Sequence, residues 1–117
     1  MALTWMEHAG RRILVTTYGR VHEDNMRFLD QQGEIERHHP GLLILSDYRG
    51  TAATAEYIEK VKAYGREFRS GPTNVRNAVI GITGLKQILF RAYLAFTGDK
   101  HTRAFDGEEQ AKAWLVS

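Results

Sequence analysis

The chain has 117 residues, of which 43% are hydrophobic, and its 16 basic and 14 acidic side chains give a net charge of only +2. This length suits one domain, residues 1–117, that folds without covalent staples. The absence of cysteine excludes disulfides and thiolate metal sites. A nucleic-acid binder usually has a segregated basic face, whereas Arg66, Arg69 and Arg76 are interpreted as a solvated rim around a loop. No nucleic-acid partner is therefore expected.

The sequence also argues against a membrane span. The longest apolar stretch, residues 85–97, is interrupted by charged residues and is shorter than the roughly 20 residues that a spanning helix needs. Residues 1–10 lack the apolar region of a signal peptide. We therefore expect a cytoplasmic protein with no stable membrane insertion.

The first predicted elements are a β-hairpin and a helix. Two runs, residues 3–8 and 12–18, are separated by Ala9-Gly10, and β-branched and aromatic residues crowd the second run. Acidic residues at positions 23 and 24 suit the start of a helix. That helix should end near His38, because Pro40 disfavours helical conformation at the residue before it.

The strongest structural signal is the stretch from Gly41 to Asp47, which holds four consecutive large apolar residues. A short run without alternation predicts a strand buried on both faces, with Asp47 at its carboxyl end. A second helix, with apolar residues at helical spacing, follows and ends at Ser70-Gly71-Pro72. Residues 78–83 repeat the buried-strand signature, and Gly81 within them predicts a close approach of a neighbouring element.

The remaining elements complete an α/β pattern. A third helix is predicted from Leu85 to about Phe96, a short strand from Thr102 to Phe105, and a last helix that ends at Trp114-Leu115 and docks on the core. Asp106 and Glu109 have the spacing of a capping box at its start. The order ββαβαβαβα predicts right-handed crossovers and a mainly parallel sheet with an N-terminal antiparallel hairpin.

Three segments carry a family resemblance: Tyr18-Gly19-Arg20-Val21, the Leu-Leu-Ile-Leu-Ser-Asp strand, and the run Phe-Asp-x-x-Glu-x-Ala-x-x-Trp-Leu over residues 105–115. Together they resemble the sporulation anti-sigma-factor-antagonist-like (SpoIIAA-like) proteins, bacterial members of the STAS superfamily, which also resembles the Sec14 (CRAL-TRIO) fold. The resemblance implies a cytoplasmic STAS domain without enzymatic activity that binds a protein partner or a small ligand. Antagonist members carry a phosphorylatable serine in an Asp-Ser-(Ser/Thr/Ala)-Gly turn. Residues 47–54 lack that tetrapeptide and offer Thr51 and Thr54 as candidate phosphorylation sites.

Polar side chains follow the two central predicted strands, at the edge where open α/β sheets bind ligands. The candidate ligand- or partner-binding residues are Asp47, Tyr48, Arg49, Thr51, Thr54, Thr83 and Lys86. Their carboxylate, cationic groups and hydroxyls suit a polar or anionic ligand. In the alternative interpretation, Thr51 and Thr54 only cap the second helix and Asp47 binds loop amides.

No pattern in the sequence predicts catalytic residues, a metal site or a cofactor. The five histidines lack the spacing of metal ligands, and no Gly-x-Ser-x-Gly turn presents a nucleophile. The protein is therefore expected not to be an enzyme.

The predicted third helix is apolar over a wider arc than one core-facing stripe requires. It is either deeply buried, or it presents a homodimer face, a partner-docking face or the wall of an apolar pocket. Symmetric pairing is favoured, with Phe90, Tyr93, Leu94 and Phe96 as the dimer or pocket face. The leading hypothesis is a regulatory domain that binds a protein partner and itself. The alternative is a Sec14-like binder or carrier of a small apolar or amphipathic ligand.

Overall fold

A computed structural model describes residues 2–51 and 54–117. It confirms the predicted order of elements and their approximate bounds. The elements are β1 (Leu3–His8), β2 (Arg11–Thr17), α1 (His22–His38), β3 (Leu43–Asp47), α2 (Ala55–Arg69), β4 (Arg76–Ile80), α3 (Leu85–Thr97), β5 (Thr102–Phe105) and α4 (Glu108–Leu115). Within these described ranges, no helix combines the length and the apolar character needed to traverse a bilayer.

The five strands form one sheet in the order β1-β2-β3-β4-β5. β1 is antiparallel to β2, and every other neighbouring pair is parallel. Because β2 to β5 follow one another in sequence and in space, right-handed crossovers place α1, α2 and α3 on the same face. The opposite face receives α4, so β3 in the middle of the sheet is covered on both sides.

Packing along β3 shows both covered faces. Leu43 and Leu45 belong to a cluster that includes Ala111 and Leu115 of α4, whereas Ile44 packs in a separate cluster on the other face. None of the side chains from Leu43 to Ser46 is more than 4% exposed. The prediction of a doubly buried central strand is confirmed, and so is the docking of α4 through Leu115, which is fully buried.

The prediction that β4 continues to residue 83 is wrong. The strand ends at Ile80, and Ile82 lies beyond it. Gly81 has φ of +84°, and a Cβ at this position would lie 2.4 Å from the backbone nitrogen of Arg49. The chain therefore turns out of the sheet at Gly81 so that the loop after β3 can pass against it. The close approach predicted for this glycine is confirmed.

The predicted capping box of α4 is also wrong. The helix begins at Glu108 with Gly107 as its N-cap and no side-chain cap, so Asp106 lies one position too early to cap it. The other end of α4 is held by Arg76, whose Nη1 donates to the backbone oxygens of Trp114 (2.9 Å) and Ser117 (2.8 Å). Arg76 thus stabilises a helix C-terminus rather than forming part of a solvated rim.

Candidate functional site

A cavity lies between the sheet and the two helices α2 and α3, and we call it the α2–α3 cavity. Its volume is about 80 Å³, below the roughly 300–1,000 Å³ of most small-molecule sites, so it suits only a small or slender ligand. Most of its walls are apolar, and the lining includes Ile58, Val61, Val79, Ile82, Leu89 and Phe90. Ser46 of β3 and Asn77 of β4 lie at its floor, where the Ser46 hydroxyl donates to Asn77 Oδ1 at 2.8 Å.

The contact between α2 and α3 closes the cavity at the C-terminal halves of both helices. Gly65 of α2 faces Tyr93 and Thr97 of α3, and an added Cβ would lie 2.5 Å from Tyr93 Oη and 2.8 Å from Thr97 Cγ2. Only a residue without a side chain allows this approach. The space that remains lies toward the N-terminal halves, which contribute Ile58 and Leu89 to the lining.

A buried ion pair lies at the deep end of the cavity. Arg69 is 2% exposed, and its Nε and Nη2 donate to the two carboxylate oxygens of Glu36 at 3.1 and 2.8 Å. Its Nη1 donates to Thr102 Oγ1 at 3.1 Å. Burial acts to lower the pKa of Arg69, but its hydrogen bonds to Glu36 and the negative charge of that carboxylate outweigh burial, so the net pKa is raised and the guanidinium remains charged. The interpretation of Arg69 as a rim residue is wrong, because its partners come from distant elements that the sequence does not pair.

Phenol groups extend this network. Tyr64 donates to Glu36 Oε1 at 2.5 Å, and Tyr93 donates to Asp99 Oδ2 at 2.7 Å. Gln32 connects Tyr18 to Tyr64, since it accepts from Tyr18 Oη and donates to Tyr64 Oη. Burial is the main cause that raises the pKa of Tyr18, Tyr64 and Tyr93. These phenols therefore stay neutral and act as hydrogen-bond donors.

Two further tyrosines, Tyr48 and Tyr57, also line the cavity. Tyr48 stacks on Tyr18 with ring centroids 4.7 Å apart, and the hydroxyls of Tyr48 and Tyr57 lie 2.9 Å apart. Burial raises the pKa of both groups. Tyr48 was among the predicted site residues, but Tyr57 was not, because no motif distinguishes it from the other residues of the second helix.

The structure divides the predicted edge site into two groups. Tyr48, Thr51 and Lys86 line the cavity. The other four residues, Asp47, Arg49, Thr54 and Thr83, are not part of its lining. Thr83 is exposed on the loop before α3.

Asp47 and Arg49 bind each other at the carboxyl edge of β3. Arg49 Nε and Nη2 donate to the Asp47 carboxylate at 3.0 and 2.8 Å, and its backbone N–H also donates to Asp47 Oδ1. Partial burial acts to raise the pKa of Asp47, but the hydrogen bonds from Arg49 lower it overall. This supports the interpretation in which Asp47 binds a loop amide.

The two candidate phosphorylation sites differ in environment. Thr54 is the N-cap of α2, where its Oγ1 accepts from the Tyr57 backbone N–H at 3.1 Å and lies 2.8 Å from His22 Nδ1. Thr51 is 7% exposed, and its hydroxyl has no hydrogen-bond partner among the described residues. The capping interpretation is confirmed for Thr54, while a kinase could not reach Thr51 in this conformation. Modification of Thr54 stays a prediction.

The four residues of α3 that were predicted to form a dimer face or a pocket wall also differ in where they lie. Phe90 and Tyr93 line the cavity, and Tyr93 is only 7% exposed, so the proposal of Tyr93 as a dimer contact is wrong. Leu94 is half-buried, whereas Phe96 is 46% exposed with the Arg66 guanidinium 4.3 Å from its ring centroid. The large apolar side chains that do face outward on α3 are Leu85, Ile88 and Phe96.

The described part of the chain contains no cluster of three or more histidine or acidic side chains placed to hold a metal ion. His22 contacts Thr54 and Glu56. His38 and His39 are exposed, and their Nδ1 atoms lie within hydrogen-bond distance of backbone carbonyls in the preceding turn of α1.

Comparison with known proteins places the fold. No protein-family model matches the chain, and no curated protein is similar to it in sequence. A solved structure is similar: an uncharacterized protein of the DUF3478 family with a SpoIIAA-like fold, from Shewanella loihica PV-4. The two share 21% identity, the match covers 97% of this chain and 92% of that one, and the TM-score is 0.63. The chain therefore has the SpoIIAA-like fold.

Proposed function

We propose that this protein binds a small amphipathic molecule in the α2–α3 cavity, as a binding domain without catalytic activity. The observation that carries the proposal is the cavity itself, which combines apolar walls with a few polar groups at its floor and at its two ends. Natural ligand sites have this composition, because apolar area supplies affinity and a few polar groups fix orientation. The SpoIIAA-like fold is compatible with a regulatory domain whose state depends on such a ligand.

The chemistry of the cavity favours binding over catalysis. The buried cation of its lining, Arg69, is paired with Glu36 at the deep end. Because the two charged groups bind each other, neither is free to act as an acid or a base toward a bound molecule. Arg49 and Asp47 are likewise paired at the sheet edge.

The test uses a neutral, apolar fluorescent probe, N-phenyl-naphthylamine, whose emission rises in a dry environment. The wild-type protein should bind it, and Val79→Phe, which fills the cavity floor, should reduce binding by at least tenfold. Val15→Phe adds the same volume on the opposite face of the sheet, where Val15 packs with the α4 cluster. This control should bind normally. Equal binding by both folded variants, or no binding by the wild type, would contradict the proposal. Native mass spectrometry of freshly purified protein would identify a ligand that co-purifies.

A second candidate function is association with a protein partner, including a second copy of the chain. The observation that favours it is the outer face of α3, where Leu85 is 69%, Ile88 63% and Phe96 46% exposed. Each large side chain left in water forgoes roughly 1.5–3 kcal/mol relative to burial. Three such residues on one helix therefore favour association with a partner that buries them.

Light scattering tests self-association directly. If the outer face of α3 pairs two copies, Ile88→Glu should convert a dimer to a monomer. Gln87→Glu introduces the same charge at an exposed neighbouring position and should leave the dimer intact. A wild-type protein that is monomeric at tens of micromolar would end the homodimer hypothesis and leave only a different protein as partner.

A further inference from the structure

We infer that the ligand of the α2–α3 cavity carries a carboxylate, which is held between the Lys86 ammonium and the Thr51 hydroxyl. This inference rests on the proposed binding function and specifies the ligand class. It predicts a small carboxylic acid with an apolar body. The apolar part would lie among Ile58, Val61 and Leu89.

Lys86 and Thr51 meet at one backbone oxygen. Lys86 Nζ donates to the carbonyl oxygen of Tyr48 at 2.7 Å, and the Thr51 backbone N–H donates to the same oxygen at 3.1 Å. Both residues line the cavity. The ammonium and the Thr51 residue therefore form one polar corner, at the end of the cavity formed by the loop after β3.

Both groups at this corner have unused hydrogen-bond capacity. The Thr51 side chain is more than nine-tenths buried, and its Oγ1 has no partner among residues 2–51 and 54–117. A buried polar atom without a hydrogen-bond partner costs free energy, so its presence indicates that a group outside the described residues supplies the missing hydrogen bond. The ammonium has three N–H donors, and the described contacts are to the carbonyls of Tyr48 and, at 3.4 Å, Gly81.

The charge at the corner selects the class of ligand. Both partners of Lys86 are neutral carbonyls, and Asp47 directs its carboxylate oxygens to Arg49. The Asp47 carboxylate lies near enough for the Lys86 charge to help lower its pKa, but the ammonium makes no hydrogen bond to it, so an anion in the cavity would gain a charge-assisted hydrogen bond from Lys86. One N–H and one O–H donor match the two oxygens of a carboxylate. The other cation of the cavity, Arg69, is saturated by Glu36 and does not compete for the ligand.

The experiment compares octanoate with octanol by isothermal titration calorimetry, below the concentrations at which either aggregates. The two share an apolar chain and differ only at the polar end. Octanoate should bind roughly tenfold to a hundredfold more tightly, as expected for a hydrogen bond to a charged group. Lys86→Met should remove this preference by weakening octanoate binding far more than octanol binding, whereas Lys100→Met, at an exposed lysine outside the lining, should preserve it. Thr51→Val should weaken octanoate binding, and Thr51→Ser, which keeps the hydroxyl, should not.

The alternatives give distinct results. Equal affinities for octanoate and octanol would overturn the carboxylate inference and leave the proposed function standing. Tighter binding of octyl phosphate than of octanoate would overturn the choice of carboxylate. Failure of both octanoate and octanol to bind would overturn the inference, while the neutral fluorescent probe decides separately whether the cavity binds any ligand. Circular dichroism of each variant confirms that a lost preference does not result from unfolding.

Discussion

Alkaline titration should unfold this protein in one step, because all five tyrosines have raised pKa values. The chain contains five tyrosines, and burial is the main cause in each: Tyr18, Tyr48, Tyr57, Tyr64 and Tyr93. In the unfolded chain each phenol ionises near pH 10. Above that pH the unfolded state binds fewer protons than the folded state, so the free energy of unfolding falls as pH rises.

The size of the effect follows from the number of groups. Each phenol that stays neutral in the folded state costs up to about 1.4 kcal/mol of stability per pH unit above pH 10. Five of them together remove roughly 7 kcal/mol per unit, against a total stability of about 5–15 kcal/mol for a domain. Unfolding is therefore expected within about two pH units above 10, and stability below pH 10 should be unaffected by these groups.

The assay records phenolate absorbance and far-ultraviolet circular dichroism across the same pH series. The two signals should change together in one cooperative transition. The variant Tyr57→Phe should lower the absorbance amplitude by one fifth, because it removes one of the five phenols. Phenolate absorbance with a midpoint near pH 10 while the helical signal persists would refute the reasoning, since it would mean that water reaches the phenols in the folded state.

Three other substitutions test the packing around the cavity. Arg69→Met leaves the Glu36 carboxylate buried without its cationic partner, so we expect a loss of about 3–5 kcal/mol in chemical denaturation, and a loss below about 1 kcal/mol would contradict the buried pair. Gly65→Ala forces α2 and α3 apart and should cost roughly 1–3 kcal/mol, whereas the same change at Gly71, which has open space around it, should cost much less. Leu115→Ala should lower stability by about 2–5 kcal/mol, and unchanged thermal melting would refute the docking of α4 on the sheet.

The fold could be predicted because its signals are local. A half-buried strand alternates apolar and polar residues, so the continuous apolar run Leu42–Leu45 indicates a strand that is buried on both faces. Pro40 and Gly41 leave too little length for a helix. The Pro72 stop after α2 is equally local. Such features set the order of elements, and the right-handed crossover rule then fixes which helices share a face.

The candidate site was predicted only in part, because burial depends on contacts between distant residues. Nothing near Arg69 in the sequence indicates that Glu36, 33 residues earlier, would neutralise it. The orientation of α3 raised the same difficulty: an arc of apolar residues wide enough to cover two faces does not show which one meets the sheet. The structure turns Tyr93 inward and Ile88 outward. Gly65 of α2 was a local signal that could have indicated where α2 approaches another element, since a glycine inside a helical pattern often has a packing reason.

The two ends of the α2–α3 cavity differ in the hydrogen-bonding capacity of their polar groups. At its deep end, Arg69, Glu36 and the phenols satisfy one another, so a ligand placed there would have to break existing hydrogen bonds to make its own. At the opposite end, Lys86 and Thr51 have hydrogen-bond donors that no residue in the described part of the chain uses. An amphipathic molecule would therefore lie with its polar group toward that end and its apolar part toward the helices. In that orientation Lys86 and Thr51 would gain contacts when the ligand binds, so binding there would alter the surface around them that the protein presents to a partner.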